Sequence, residues 1–63
     1  MNEYKVTVYN FAKDEIIFTR YCLGIANARK IAKQFNTKLH YCANAKEFWG
    51  AVYPYEIFVK RSN

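Results

Sequence analysis

The stretch GIANARKIAKQFN, residues 24–36, decides the fold because its apolar residues recur with the period of a helix. At about 100° per residue these side chains fall within an arc of about 120°, which is wide enough to pack on a sheet. They are Ile25, Ala28, Ile31, Ala32 and Phe35. We therefore predict a helix over residues 25–36, with Gly24 at its N-cap and Asn36 with Thr37 at its end.

The residues before this helix have the alternating pattern of β-strands. Residues 4–9 (YKVTVY) and 16–21 (IIFTRY) are rich in β-branched and aromatic side chains. The polar segment between them, residues 10–14, is short enough to favour an antiparallel hairpin.

Strands are also predicted after the helix, where residues 38–42 and 55–60 alternate again. Residues 47–53 are compatible with a short helix or a strand, and we favour a strand that Pro54 ends. The order β-β-α-β-β-β predicts an α+β fold with two layers. In this fold a single domain, residues 1–63, packs one helix on a four- or five-stranded antiparallel sheet.

Length and composition restrict the classes of protein that remain possible. A chain of 63 residues holds one core and buries about 60% of the surface that its unfolded form exposes. With 52% hydrophobic and 19% aromatic residues, it is expected to be compact. No apolar run approaches the roughly 20 residues of a membrane span and no signal-peptide pattern is found, so we expect a cytoplasmic protein without a membrane partner. Cys22 and Cys42 are predicted to be free thiols.

The distribution of charge is the most informative feature for function. The formal net charge is +5, yet no acidic residue occurs between Ile16 and Lys46. On the helical wheel, Arg29, Lys30 and Lys33 lie opposite the apolar stripe, with Arg20 and Lys38 at the margin of the same surface. Such a face is often merely solvated, but it lacks the acidic partners that solvated helices usually carry. It therefore predicts an anionic partner, either nucleic acid or an acidic surface of a nucleic-acid-handling protein complex.

A second candidate surface is the sheet face turned away from the helix. In the predicted register, Ile17 and Tyr21 face the helix. The side chains predicted to face outward include Lys5, Tyr9, Phe18, Arg20, His40, Phe58 and Lys60. Alternating rings and cations suit single-stranded nucleic acid. Cross-strand aromatic pairs or a dimer interface explain the same pattern, so the alternative function is a structural or assembly protein that forms a homodimer or larger homo-oligomer through its aromatic-rich sheet.

The sequence offers little support for catalysis. His40 and Cys42 share one face of a predicted strand, but no third residue is placed to orient them. A zinc site built from them and Cys22 would lack a fourth ligand. No glycine-rich phosphate loop is present. We therefore predict a protein that is not an enzyme and that has no catalytic residue, metal or cofactor.

The segment from Gly24 to Lys33, with a hairpin before it and strands after it, resembles small phage-encoded proteins that include some type I anti-CRISPR inhibitors. The resemblance covers the order of the elements and about ten residues closely. It implies a stoichiometric inhibitor in the host cytoplasm that occupies a nucleic-acid-processing complex. The residues that it would assign to this role are Arg29, Lys30 and Lys33.

Overall fold

One helix crosses one face of a five-stranded antiparallel sheet in the computed structural model, which describes residues 2–62. The elements are β1 (Glu3–Asn10), β2 (Glu15–Leu23), α1 (Ile25–Lys33), β3 (His40–Cys42), β4 (Glu47–Val52) and β5 (Tyr55–Arg61). In space the strands follow the order β2-β1-β5-β4-β3, so β2 and β3 are the two edges. The predicted fold class is confirmed, and the ambiguous segment after residue 46 is a strand.

The core lies between α1 and the two central strands. Val6 of β1 is opposite Val59 of β5, and Val8 is opposite Ile57. All four side chains are fully buried, because directly opposite residues of antiparallel strands point to the same face. Ala28, Ile31 and Ala32 of α1, together with Leu39, complete this core. We call this face of the sheet the helix side and the other face the open side.

Helix α1 ends three residues earlier than predicted, although the predicted stop signal is the reason that it ends. Asn36 has a positive φ of 56°, the left-handed conformation that asparagine tolerates. Its N–H donates to the carbonyl of Lys33, and the N–H of Thr37 donates to the carbonyl of Ala32. These two bonds form a Schellman-type cap, so the last three residues of the predicted helix belong to the closing turn.

The side chains of strand β2 after its bulge face the opposite side of the sheet from the side that we predicted. The hairpin turn places Ile16 opposite Tyr9, and uninterrupted pairing would put Ile17 opposite Val8. Val8 instead pairs with Phe18, so Ile17 is an extra residue in a bulge. Because side chains alternate along a strand, one extra residue moves all that follow to the other face.

This shift corrects four of our assignments. Phe18 and Arg20, which we expected to face outward, lie on the helix side, where the Phe18 ring packs 6.0 Å from that of Phe35. Tyr21, expected in the core, lies opposite Lys5 on the open side and is 57% exposed. Ile17 in the bulge also lies outside the core.

Gly50 of β4 allows the segment after α1 to lie directly on the sheet. A Cβ at this position would meet the carbonyl oxygen of Lys38 and the methyl group of Thr37 far inside van der Waals contact. The close approach lets Leu39, in the same segment, reach the core.

We predict that Gly50→Ala lowers the free energy of unfolding by about 1–3 kcal/mol, because backbone must move to make room for the methyl group. Urea denaturation followed by circular dichroism measures the change. Val52→Ala, at an exposed position of the same strand, is the matched control and should cost less than about 1 kcal/mol. Equal midpoints for Gly50→Ala and the unaltered protein would contradict the close packing described here.

Candidate polyanion-binding face

The helix side carries a groove that collects three of the five basic residues singled out from the sequence. Arg29, Lys33 and Lys38 line a cavity of about 550 Å³. Asn36, Thr37, Leu39 and His40 complete its lining, and we call it the basic groove. The three cationic side chains are exposed, whereas Thr37 and Leu39 are buried. The groove therefore presents positive charge above a buried floor.

Arg29 is the best-fixed cation of this groove. Its Nη1 donates a hydrogen bond of 3.3 Å to the carbonyl oxygen of Leu39. Its guanidinium carbon also lies 5.6 Å from the centre of the Phe48 ring, in cation–π contact. A guanidinium held from two sides loses less conformational freedom when it binds an anion than a free lysine does.

The two other predicted binding residues lie outside the basic groove. Lys30 is exposed on α1. Arg20 lies on the edge strand β2, with its guanidinium carbon 5.1 Å from the centre of the Phe18 ring. Arg20 is on the edge opposite to β3 and is not among the lining residues of the basic groove. All five predicted residues lie on the helix side, but only three of them line the basic groove.

Most of the carboxylates lie on the open side of the sheet. Glu47 is opposite Lys60, and Glu56 is opposite Tyr9, so both carboxylates belong to the open side. Glu3 is opposite Leu23 and two residues before Lys5, which places it on the same side. Sequence proximity had not indicated this, because the acidic residues lie at both ends of the chain. Three of the five carboxylates thus point away from the basic groove.

The second predicted surface is assembled only in part. The open side holds Lys5, Tyr9, Phe58 and Lys60. Phe18 is not on this side, because the bulge in β2 turns it to the helix side. The face that we proposed as a platform for nucleic acid is therefore balanced in charge, since acidic side chains neighbour its lysines.

Trp49 is an open-side residue that the sequence pattern did not identify. It lies opposite Phe58 of β5, and its indole Nε1 donates a hydrogen bond of 3.2 Å to Glu56. Its place on this face depends on the pairing of β4 with β5, which the local alternation of residues 47–53 does not determine. Trp49 and Phe58 are therefore cross-strand neighbours on the open side.

A second groove on the helix side was also missed by sequence reasoning. Its cavity of about 600 Å³ lies where α1 leaves the sheet uncovered. We call it the aromatic groove; its lining is Tyr4, Tyr41, Ala45, Lys46, Phe48, Val59, Lys60 and Arg61. The signal that could have found part of it is the period of two in β5, which puts Arg61 on the same face as Val59.

The two cysteines lie at opposite edges of the sheet, Cys22 on β2 and Cys42 on β3. Cys22 is half-buried, its Sγ lies 4.0 Å from the carbonyl oxygen of Gly24, and burial, followed by the charge of Glu3, raises the pKa of its thiol. A raised pKa disfavours the reactive thiolate. His40 and Cys42 lie opposite Trp49 and Glu47, respectively. Within residues 2–62, no group of three His, Cys, Asp or Glu side chains could hold a metal ion.

No protein-family model, curated protein or solved structure matches this chain. Among the residues that the structure describes, no helix is long and apolar enough to cross a membrane. The inference of function therefore depends on the geometry and charge of the two grooves and of the open side.

Tyr9 provides a test of the charge arrangement on the open side. Its hydroxyl donates a hydrogen bond to Asp14, and this bond raises the pKa of Tyr9, with smaller contributions from burial and from the charges of Asp14 and Glu56. A pKa above the ordinary value of about 10 means that the protonated phenol stabilises the fold at lower pH. That contribution is lost as pH rises above about 10.

We predict that Asp14→Asn lowers the pKa of Tyr9, since the neutral amide no longer repels the phenolate. Asparagine also tolerates the positive φ of 53° at this position. The measurement is an NMR titration of protein with ¹³C-labelled tyrosine rings, in which Tyr9→Phe identifies the resonance. An unchanged titration midpoint in Asp14→Asn would contradict the contact.

Proposed function

We propose that this protein is a non-enzymatic binding protein whose basic groove and α1 bind the phosphate backbone of nucleic acid. The observation that carries the proposal is the group of cations in the basic groove, whose lining residues include no carboxylate. Arg29, Lys33 and Lys38 converge on one concave surface, while Glu47 and Glu56 lie on the opposite face.

The arrangement has an energetic cost that an anionic partner would offset. Arg29 and Lys33 are four residues apart on α1, where like charges destabilise a helix by about 0.2–0.5 kcal/mol. Glu3, Glu47 and Glu56 lie on the other side of the sheet, and no carboxylate is among the lining residues of the basic groove. A concave cationic surface also focuses its field and accelerates encounter with a polyanion.

The resemblance to phage-encoded inhibitors adds a role to this proposal. On this view the protein acts in the cytoplasm, where it occupies a nucleic-acid-processing complex at the position of its nucleic acid. The basic groove would then contact nucleic acid held by that complex, or an acidic protein surface that replaces it.

We predict that the chain binds a short DNA duplex with strong salt dependence. Neutralisation of about three to five phosphates gives a slope of roughly −3 to −4 for log affinity against log salt. Affinity then falls on the order of 100-fold between about 50 and 200 mM salt. Fluorescence anisotropy of a labelled duplex measures both quantities.

The test compares two neutralising double variants with the same change of charge. Lys30→Gln with Lys33→Gln should reduce the magnitude of the salt slope by about two. The reason is that each lost contact between a lysine and a phosphate lowers the magnitude of the slope by about one. Lys5→Gln with Lys13→Gln, on the open side and in the hairpin turn, should leave the slope unchanged. Arg29 is kept in both variants because it also supports Leu39 and Phe48.

Two results would contradict direct nucleic-acid binding. One is the absence of binding to single-stranded and duplex DNA at low salt. The other is an equal loss in both double variants, which would reflect net charge alone. Tighter binding to polyglutamate than to DNA would assign the basic groove to an acidic protein surface instead.

A second candidate function is self-association, and the exposed edge strand β2 favours it. The strand has nine residues, and three large apolar side chains on its open side are exposed: Ile16 (62%), Tyr21 (57%) and Leu23 (54%). A long edge strand with apolar side chains is a template for pairing with another chain. A second copy, paired antiparallel through β2, would extend the sheet to ten strands.

We predict that, if this second function holds, sedimentation equilibrium gives a mass that rises from monomer to dimer with concentration. Tyr21→Lys should abolish the rise, since lysine on an edge opposes strand pairing. Tyr53→Lys, an exposed tyrosine in the β4–β5 turn, is the control and should dimerise like the unaltered chain. A monomer at all concentrations would exclude this function.

A further inference from the structure

The aromatic groove is the part of the helix side that phosphate binding alone leaves unexplained. Three rings border it, and the fully buried Val59 lies at its base. The ring of Tyr41 is centred 5.1 Å from that of Phe48, and the ring of Tyr4 meets Phe48 edge-on at 6.2 Å. Phe48 is thus in contact with two rings and with the guanidinium of Arg29.

Tyr41 is the member of this cluster with free surface. It is 58% exposed, whereas Tyr4 and Phe48 are half-buried beneath it. An exposed ring that is supported by a second ring has lost much of its rotational freedom, so stacking on it costs little further entropy. The cluster therefore presents a pre-formed flat apolar surface to a planar ligand.

Cations surround this surface. Lys46 and Arg61 line the aromatic groove, and the contact of Arg29 with Phe48 links it to the basic groove. Rings beside cations suit a chain that has a planar group and a negative charge in each unit. The volume of about 600 Å³ lies within the range of sites for small planar ligands.

We propose that the aromatic groove binds unpaired bases of single-stranded nucleic acid, which stack on Tyr41 while the adjoining phosphates contact Lys46 and Arg61. This inference depends on the function proposed above and narrows it to the single strand. A duplex keeps its bases inside the stack, where the rings of the groove do not reach them, whereas a single strand can turn its bases outward. The basic groove then holds the phosphates further along the strand.

The experiment measures anisotropy with three labelled ligands about 12 nucleotides long, a length within the site sizes of single-strand binders. They are oligothymidylate, an abasic oligomer with the same phosphates, and a duplex. Oligothymidylate should bind about 5- to 150-fold more tightly than the abasic oligomer, which is the range expected for stacking of one base. Its salt slope should differ little from that of the abasic oligomer, because stacking releases no counterions.

Variants of one residue locate the effect. Tyr41→Ala should remove the preference for oligothymidylate over the abasic oligomer without changing the salt slope, and Tyr41→Trp should keep the preference. Tyr53→Ala, which removes an exposed tyrosine outside both grooves, should behave like the unaltered protein. Circular dichroism tests whether each variant is folded. If Tyr41→Ala does not fold, the comparison of the three ligands on the unaltered protein decides whether bases stack in the groove.

The outcomes separate this inference from the proposed function. If abasic and thymidine oligomers bind equally, with the expected salt slope, the phosphate-binding function stands and base stacking is wrong. If none of the three ligands binds at low salt, the function itself is wrong. Displacement of oligothymidylate by thymidine monophosphate at the same nucleotide concentration would assign the groove to a free nucleotide and overturn the assignment to a strand.

Discussion

A single short helix must cover one face of a five-stranded sheet, and the rest of the structure follows from this constraint. Helix α1 has nine residues and is therefore about 13.5 Å long. Five strands spaced by about 4.8 Å are about 19 Å wide from edge to edge. The helix reaches the central strands, where Val6, Val8, Ile57 and Val59 are fully buried. The surfaces at its flanks stay open, and the two grooves occur there.

The segment after α1 determines the shape of these openings. The absence of a side chain at Gly50 lets Thr37 and Lys38 approach the sheet, and Leu39 enters the core beside the helix. Arg29 then bridges the helix and this segment through the carbonyl of Leu39, while its guanidinium covers Phe48. Arg29 thus lines the basic groove and contacts the aromatic groove through Phe48. A change at Arg29 would alter packing and charge together, which is why Lys30 and Lys33 test the electrostatics more cleanly.

The sequence predicted the fold well and the candidate site only in part, and the difference has a physical cause. Local periodicity determines which residues form α1 and which form strands, so the element order and the basic character of the helix were predictable. The face that a strand presents depends on its register with a neighbour. One extra residue, Ile17, reversed β2 and moved Phe18 and Arg20 to the helix side. The aromatic groove joins Tyr4, Tyr41 and Phe48 from three separate strands, which no local pattern brings together.

The two candidate functions are geometrically compatible. Antiparallel pairing of β2 with β2 of a second copy requires a two-fold axis perpendicular to the sheet, because only that axis keeps the same face of each strand aligned. Both copies of α1 would then lie on one side of a ten-stranded sheet. Each basic groove contains residues just before β3, the strand furthest from the shared edge, so the two grooves would lie on either side of that edge. A dimer of this kind would present two cationic grooves in the same direction to one extended polyanion. The second contact would then be intramolecular and would strengthen binding without any new interaction.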